Sequence, residues 1–194
     1  MPLVTTPYGA RAGTESGKTP DGALLASWGR RLGAYLIDGV IVGAVWLSLS
    51  WRWLSGYVED LFDRVKDAVG SGTISPSPFF GTYESWGDLV VIVLIGIATF
   101  ILYHATFLRL ADGASLGKKA LGIRVRLRER DGQLPWSAIS KRLLVQLTPD
   151  FAALVPLLGS LVVICAWLDG LWPLWDAKSQ ALHDKWPGTN VVHR

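Results

Sequence analysis

The sequence predicts an all-α membrane protein with about three transmembrane helices and a small strand or hairpin element on the cytoplasmic side. Half of the 194 residues are hydrophobic, and residues 32–51 and 89–108 form two long apolar runs. A helix of roughly 20 residues crosses a hydrocarbon core of about 30 Å, so each run is long enough to span a bilayer. We therefore expect one membrane domain over residues 27–192, preceded by a flexible cytoplasmic tail at 1–26.

The first predicted span contains one charged residue, Asp38, and is preceded by Arg31. A carboxylate near the centre of a membrane helix costs on the order of 2.5 kcal/mol or more for insertion, so Asp38 should face protein or water. Seven residues bring Arg31 to the same helix face, about 10 Å away. We expect Arg31 to reach the lipid headgroups and Asp38 to find a donor on another helix. Two interpretations stay open: a polar clamp between helices, or a group that handles ions or protons.

Two further features of the predicted spans bear on the partner of Asp38. Gly39 and Gly43 form a small-xxx-small face, which allows another helix to approach closely. Tyr103 and His104, in the second span, are the candidate donors. A histidine in an apolar helix is more often a packing residue, so we interpret His104 as a donor only if it lies close to Asp38.

Residues 52–88 are predicted to form an extracytoplasmic loop of net negative charge. Apolar residues recur at helical spacing in its first half, which predicts a separate short helix lying on the outer surface. These residues are Leu54, Val58, Leu61, Phe62, Val65 and Val69. Turn-forming residues at 70–78 then end this helix before the second span.

The third predicted span, residues 151–168, is shorter and contains Pro156 and Gly159. Its length favours one complete crossing, and the alternative is a broken or re-entrant hairpin. A complete crossing would place Asp169 at the outer interface and Asp184 outside the cell. A hairpin would return the following residues to the cytoplasm.

Residues 109–142 form a basic loop, which the positive-inside rule places in the cytoplasm together with the N-terminus. The positive charge has this topological explanation, so we expect attraction to anionic lipid headgroups and no nucleic-acid partner. Apolar residues alternate with arginines from Ile123 to Arg128, and Asp131 and Gly132 follow as a turn. This pattern predicts a small strand or hairpin at the membrane surface.

Two motifs give the chain a family resemblance. Residues 115–125 read SLGKKALGIRV, and residues 182–192 read LHDKWPGTNVV. In this order after Arg31 and Asp38, they resemble the RDD family of membrane proteins, over about residues 27–192. The family is named for one arginine and two aspartates, which correspond to Arg31, Asp38 and Asp184, with Asp176 as the alternative for the last. The motifs also supply possible supporting residues: Lys118, Lys119, His183 and Thr189.

The resemblance implies a multi-spanning protein of the bacterial plasma membrane whose molecular function is mostly unestablished in the family. Transport of an unknown ligand has been proposed for such proteins. Ser115 and Lys185 stand where the family often has threonine and arginine, which are mild departures.

Two function classes follow from these observations. The leading hypothesis is a small transport-related protein that uses Asp38 to carry an ion or solute and assembles as a homo-oligomer through Gly39 and Gly43. The alternative is a non-transporting scaffold that binds other membrane proteins or anionic lipid. We expect no enzyme, metal or cofactor, because the acids, His104, His183 and the single cysteine, Cys165, form no catalytic or metal-binding spacing.

Overall fold

The computed structural model describes residues 17–71, 83–153 and 159–194 of the chain. The helices are α1 (Trp28–Ser71), α2 (Tyr83–Leu110), α3 (Leu116–Ala120), α4 (Trp136–Ala153), α5 (Gly159–Leu171) and α6 (Leu182–Lys185). The strands are β1 (Ile123–Leu127) and β2 (Thr189–His193), and Trp172–Leu174 form a 3₁₀ helix, η1. The expectations for residues 1–16, for most of the break at 70–78 and for Pro156 lie outside the described residues.

Helix α1 is one continuous helix of 44 residues. At 1.5 Å per residue it is about 66 Å long, roughly twice the thickness of the hydrocarbon core. The prediction of a loop with a separate surface helix is therefore wrong for residues 52–71, and residues 72–82 of the predicted loop lie outside the described residues. Residues 52–71 contain no proline, and an isolated glycine such as Gly56 is tolerated within a helix, so the backbone continues without a break.

Helix α2 packs against α1. The Trp46 indole donates a hydrogen bond to the Ile92 carbonyl at 3.0 Å, and a Cβ at Gly96 would lie 3.2 Å from the same indole. Gly39 and Gly43 do not pack closely against any described part of the same chain, because nothing lies within 4 Å of a Cβ built at either position. Packing of this face against a second copy stays a prediction. α1 and α2 are the two described helices long and apolar enough to cross a membrane.

The remaining elements form a cap around the N-terminal end of α1 and the C-terminal end of α2. β1 pairs with β2 in antiparallel register, with Val125 opposite Val191, so β1 does not return through a local hairpin at Asp131 and Gly132. Leu25 extends the pairing on the other edge of β2. The core of the cap is formed by Ala26, Ala34, Leu108, Ile123, Val125, Leu134, Ala138, Ile139, Leu143 and Val191.

Residues 17–26 belong to this cap, contrary to the expected flexible tail over 1–26. Lys18 bridges to Leu24, and the Ala26 amide donates to the Val191 carbonyl at 2.9 Å. The buried guanidinium of Arg126 pairs with Asp21. At least one arginine of the basic loop, Arg126, therefore forms an ion pair inside the protein and does not face the headgroups.

The strand pairing decides the side of the membrane on which the C-terminal residues lie. Paired strands are about 4.8 Å apart, whereas opposite membrane surfaces are separated by about 30 Å of hydrocarbon. β1 and β2 must therefore lie on one side, and the expected single crossing between them is wrong. Of residues 151–168, the structure describes 151–153, which end α4, and 159–168, which lie in α5, and α5 is only about 20 Å long.

Candidate functional site

Asp38 is buried where α1, α2 and α3 meet, with 3% of its side chain exposed. The Tyr103 hydroxyl donates a hydrogen bond to one carboxylate oxygen at 2.7 Å, and the Gly117 amide donates to the same oxygen at 2.8 Å. The Ser115 hydroxyl donates to the other oxygen at 2.5 Å. The Lys118 ammonium lies 3.6 Å away. Every contact comes from outside α1, as an acidic group within an apolar helix requires.

A tight turn after α2 brings α3 back to Asp38. Asp112 and Gly113 both have positive φ angles, of 55° and 73°. At Gly113 a Cβ would lie 1.9 Å from the Val125 carbonyl oxygen, and at Gly117 a Cβ would lie 2.3 Å from the Ala34 carbonyl oxygen. Both positions therefore need glycine for steric reasons. The close approach at Gly117 is what places its amide against the carboxylate.

Lys118 is the cation of this site, with 15% of its side chain exposed. Burial away from water lowers the pKa of its ammonium from 10.5 to about 8, and the neighbouring Arg142 guanidinium acts in the same direction. The attraction of Asp38 and Asp184 opposes these effects. The Lys118 ammonium also donates a hydrogen bond to the Ser115 hydroxyl at 3.1 Å. Lys118 is thus a titratable partner for Asp38.

The other predicted supporting residues of α2 and α3 differ in whether they contact Asp38. Tyr103 is a donor to Asp38, as predicted. No hydrogen bond joins His104 to Asp38 within the described residues. The centre of the His104 ring lies 4.3 Å from the centre of the Phe100 ring and 5.1 Å from that of Tyr103. Lys119 is exposed and lies over the Phe107 ring at 5.4 Å, so it takes no part in the Asp38 site.

Asp184 forms a second buried cluster within the cap. Its carboxylate, 1% exposed, pairs with Arg142 and accepts a hydrogen bond from the Thr189 hydroxyl at 2.8 Å. Arg31 lies 4.0 Å away on the same carboxylate. Burial alone would raise the pKa of Asp184, but Arg142, His183 and Arg31 outweigh burial and hold this pKa well below its usual range.

Arg31 binds the cap and not the headgroups. Its guanidinium donates to the carbonyls of Ala26 at 3.1 Å, Ser179 at 2.7 Å and Val191 at 3.2 Å. The expectation that Arg31 reaches the lipid surface is therefore wrong, because the returning C-terminal segment provides three nearer acceptors. Two of the three charges assigned from sequence, Arg31 and Asp184, thus meet in one cluster.

Two further acidic residues of the cap contact residues of α6. Asp169 accepts a hydrogen bond from the His183 amide at 2.9 Å, and its carboxylate lies 2.5 Å from the His183 ring nitrogen. Asp169 therefore belongs to the cap, contrary to the expected position at the outer interface. Asp176, the alternative family aspartate, pairs with Lys185 at 2.7 Å.

Sequence reasoning missed Arg142, Ser115 and Gly117 as site residues. Arg142 is one of several basic residues in the loop at 109–142, and nothing local distinguishes it from its neighbours. Ser115 and Gly117 lie in the 115–125 motif, so the motif was the signal that could have identified them. Across the three described segments, no group of three or more His, Cys, Asp or Glu residues is arranged to hold a metal ion.

Comparison with known families agrees with the motif resemblance. The RDD family model matches residues 25–188, most of the chain. The chain belongs to the RDD family. The match contains all three assigned RDD charges: Arg31, Asp38 and Asp184. No curated protein and no solved structure matches the chain.

The RDD family is membrane-associated, and α1 and α2 are long and apolar enough to span a bilayer. The chain is therefore an RDD membrane protein. Its assigned charges are divided between two clusters, with Asp38 against α3 and with Arg31 and Asp184 inside the cap. The two clusters interact electrostatically. Asp38 from one cluster, and Arg142 and Asp184 from the other, all influence the pKa of Lys118.

Proposed function

We propose that this RDD protein takes part in transport by exchanging a monovalent cation for a proton at the Asp38 site. The observation that carries the proposal is the contact of 3.6 Å between Asp38 and Lys118. A protonated Lys118 neutralises the carboxylate. When Lys118 releases its proton, the carboxylate is left with an uncompensated negative charge that attracts a cation. One proton leaves for each cation that binds, so charge is conserved.

The surroundings of Asp38 support this chemistry. The hydroxyl oxygens of Tyr103 and Ser115 lie at 2.7 and 2.5 Å from the carboxylate and are oxygen ligands of the kind that hard cations prefer. The pKa of Lys118, about 8, allows the ammonium to lose its proton near neutral pH. A lysine with its ordinary pKa of 10.5 would remain charged under the same conditions.

Transport also needs a path across the bilayer. Two spanning helices enclose little volume, and the site lies near the cap end of the pair. The proposal therefore includes a homo-oligomer in which several copies surround the path. Its orientation follows the positive-inside rule, with the N-terminus and cap in the cytoplasm of a bacterium and the helices in its plasma membrane.

A non-transporting scaffold is the second candidate, and the cluster around Asp184 favours it. Arg31 of α1, Arg142 of α4 and Asp184 of α6 join three segments through buried polar contacts. Buried polar contacts of this kind can serve only to fix one packing of helices. In that case Asp38 is a clamp, and the protein acts by binding other membrane proteins. Neither candidate requires catalysis or a cofactor.

The test is cation-driven proton flux in proteoliposomes that contain the purified full chain. Wild-type protein is expected to show flux that rises as the pH passes about 8, where Lys118 deprotonates. Asp38→Asn should abolish flux, and Lys118→Gln should permit cation entry without proton release. Asp112→Asn is the matched control, because Asp112 pairs with Arg124 at the surface.

The two candidates give different results in this assay. Absence of flux from folded wild-type protein would contradict transport and favour the scaffold. Full flux from Asp38→Asn would show that transport does not depend on this carboxylate, which would contradict the proposed role of Asp38.

A further inference from the structure

Two lysine–tryptophan contacts connect the end of α6 with α4 and with η1. The Lys141 ammonium lies 5.6 Å from the centre of the Trp186 ring, and the Lys185 ammonium lies 5.1 Å from the centre of the Trp172 ring. The Trp172 and Trp175 rings are 6.0 Å apart. These five residues are called the tryptophan–lysine surface below.

Two of the three aromatic side chains of this surface, Trp175 and Trp186, are exposed, and Trp172 is half-buried. Trp175 and Trp186 are each 57% exposed. A large apolar ring with one polar N–H is poorly suited to full exposure in water, and it is common at the level of the lipid headgroups. The exposed rings therefore favour contact with a membrane surface.

The contact between α4 and the end of α2 indicates how deep Lys141 lies relative to the lipid headgroups. Arg109, in the last turn of α2, lies over the ring of Trp136 at 5.7 Å, and Trp136 begins α4. Lys141 follows five residues later, about 7.5 Å along the helix. Lys141 is thus close to the level at which the span of α2 ends and the headgroups begin.

The two lysines of the surface differ in charge compensation. Lys185 pairs with Asp176 at 2.7 Å, so its charge is already balanced. Lys141 has no carboxylate within ion-pair distance among the residues that the structure describes. We propose that Lys141 and Trp186 bind the phosphate group of an acidic phospholipid in the leaflet that faces the cap. The ammonium attracts the phosphate, and the indole contacts the glycerol and upper acyl region.

Lipid retention tests this site directly. The purified full chain is equilibrated with mixed micelles of phosphatidylglycerol and phosphatidylcholine, and native mass spectrometry counts the lipids that remain bound. Wild-type protein should retain phosphatidylglycerol in preference to phosphatidylcholine. Lys141→Gln should reduce phosphatidylglycerol retention about fivefold, the loss expected for one lysine near a membrane surface.

Two variants control for charge and folding. Lys141→Arg keeps the positive charge and should retain phosphatidylglycerol as wild type does. Lys66→Gln removes an exposed lysine from the far part of α1 and should leave retention unchanged. Equal retention of the two lipids by wild type, or unchanged retention of phosphatidylglycerol by folded Lys141→Gln, would overturn the proposal. Neither result depends on whether the protein transports ions.

Discussion

The ammonium of Lys118 lies 3.6 Å from the carboxylate of Asp38, and the whole of α2 separates the two residues in the chain. The pair links the first membrane helix to the helix that follows the second. Because water is largely excluded from both side chains, removing one partner leaves the other charge buried and uncompensated. Loss of one partner of a buried pair typically costs about 3–5 kcal/mol.

This pair predicts strong coupling in a double-mutant cycle. Asp38→Asn and Lys118→Gln should each lower the free energy of unfolding, and the double variant should lose about 1–3 kcal/mol less than the sum of the single losses. Unfolding in detergent micelles, followed by tryptophan fluorescence, measures the cycle. Lys119→Gln is the control, since the exposed Lys119 makes no contact with Asp38. Additive losses would show that the two groups act independently.

The glycines of α1 and α3 should respond differently to the same substitution. Gly117→Ala places a methyl group 2.3 Å from the Ala34 carbonyl oxygen, so backbone must move and the amide contact with Asp38 weakens. We expect a fall in stability of about 1–3 kcal/mol, as for other overpacked sites. Gly39→Ala meets nothing within 4 Å and should leave stability near that of wild type. A thermal melt of the two variants makes the comparison, and equal melting temperatures would contradict the close packing at Gly117.

Asp184 should make the cap sensitive to acid. Its pKa in the folded protein lies below the ordinary value of 3.8, so its ionised form stabilises the fold above that value. The contribution is lost as the pH falls from about 4 through the lower pKa of the folded state. The stability difference between wild type and Asp184→Asn should therefore be large at neutral pH and shrink below pH about 4. Unfolding curves across this range measure it, and a constant difference would contradict the prediction.

The bridge between Leu25 and Val192 predicts that residues before α1 and after β2 lie on one side of the membrane. In a Cys165→Ser background, Lys18→Cys and Arg194→Cys should both react with a membrane-impermeant maleimide from the same side. Proteoliposomes or oriented vesicles provide the measurement. Labelling of the two cysteines from opposite sides would exclude the bridge between Leu25 and Val192 in the membrane-inserted protein.

Local patterns predicted the features that depend on neighbouring residues. The two apolar runs predicted α1 and α2, and the second run contained two candidate donors to Asp38, Tyr103 and His104, of which Tyr103 is the donor. Alternation at Ile123–Leu127 predicted a strand. The helices and the strand follow from a length or a period, and the candidate donors follow from residue type, all of which are visible in a single stretch of chain.

Features that depend on distant residues were not predictable in this way. Arg31 contacts Val191, and β1 pairs with β2, because the cap folds back over the start of α1. Nothing in the sequence around Arg31 specifies such a partner. The same limit applies to Arg142, whose role follows from its position opposite Asp184 and not from its neighbours in the basic loop.

The contacts of α1 also have a consequence for biosynthesis. A ribosome makes α1 well before it makes Tyr103, Ser115 and Gly117, which surround Asp38, and before Ser179 and Val191, which bind Arg31. Asp38 therefore leaves the ribosome without these partners, and Arg31 has only the Ala26 carbonyl among its three acceptors. The contacts that hold α1 in the protein are completed only after later segments of the chain have been translated.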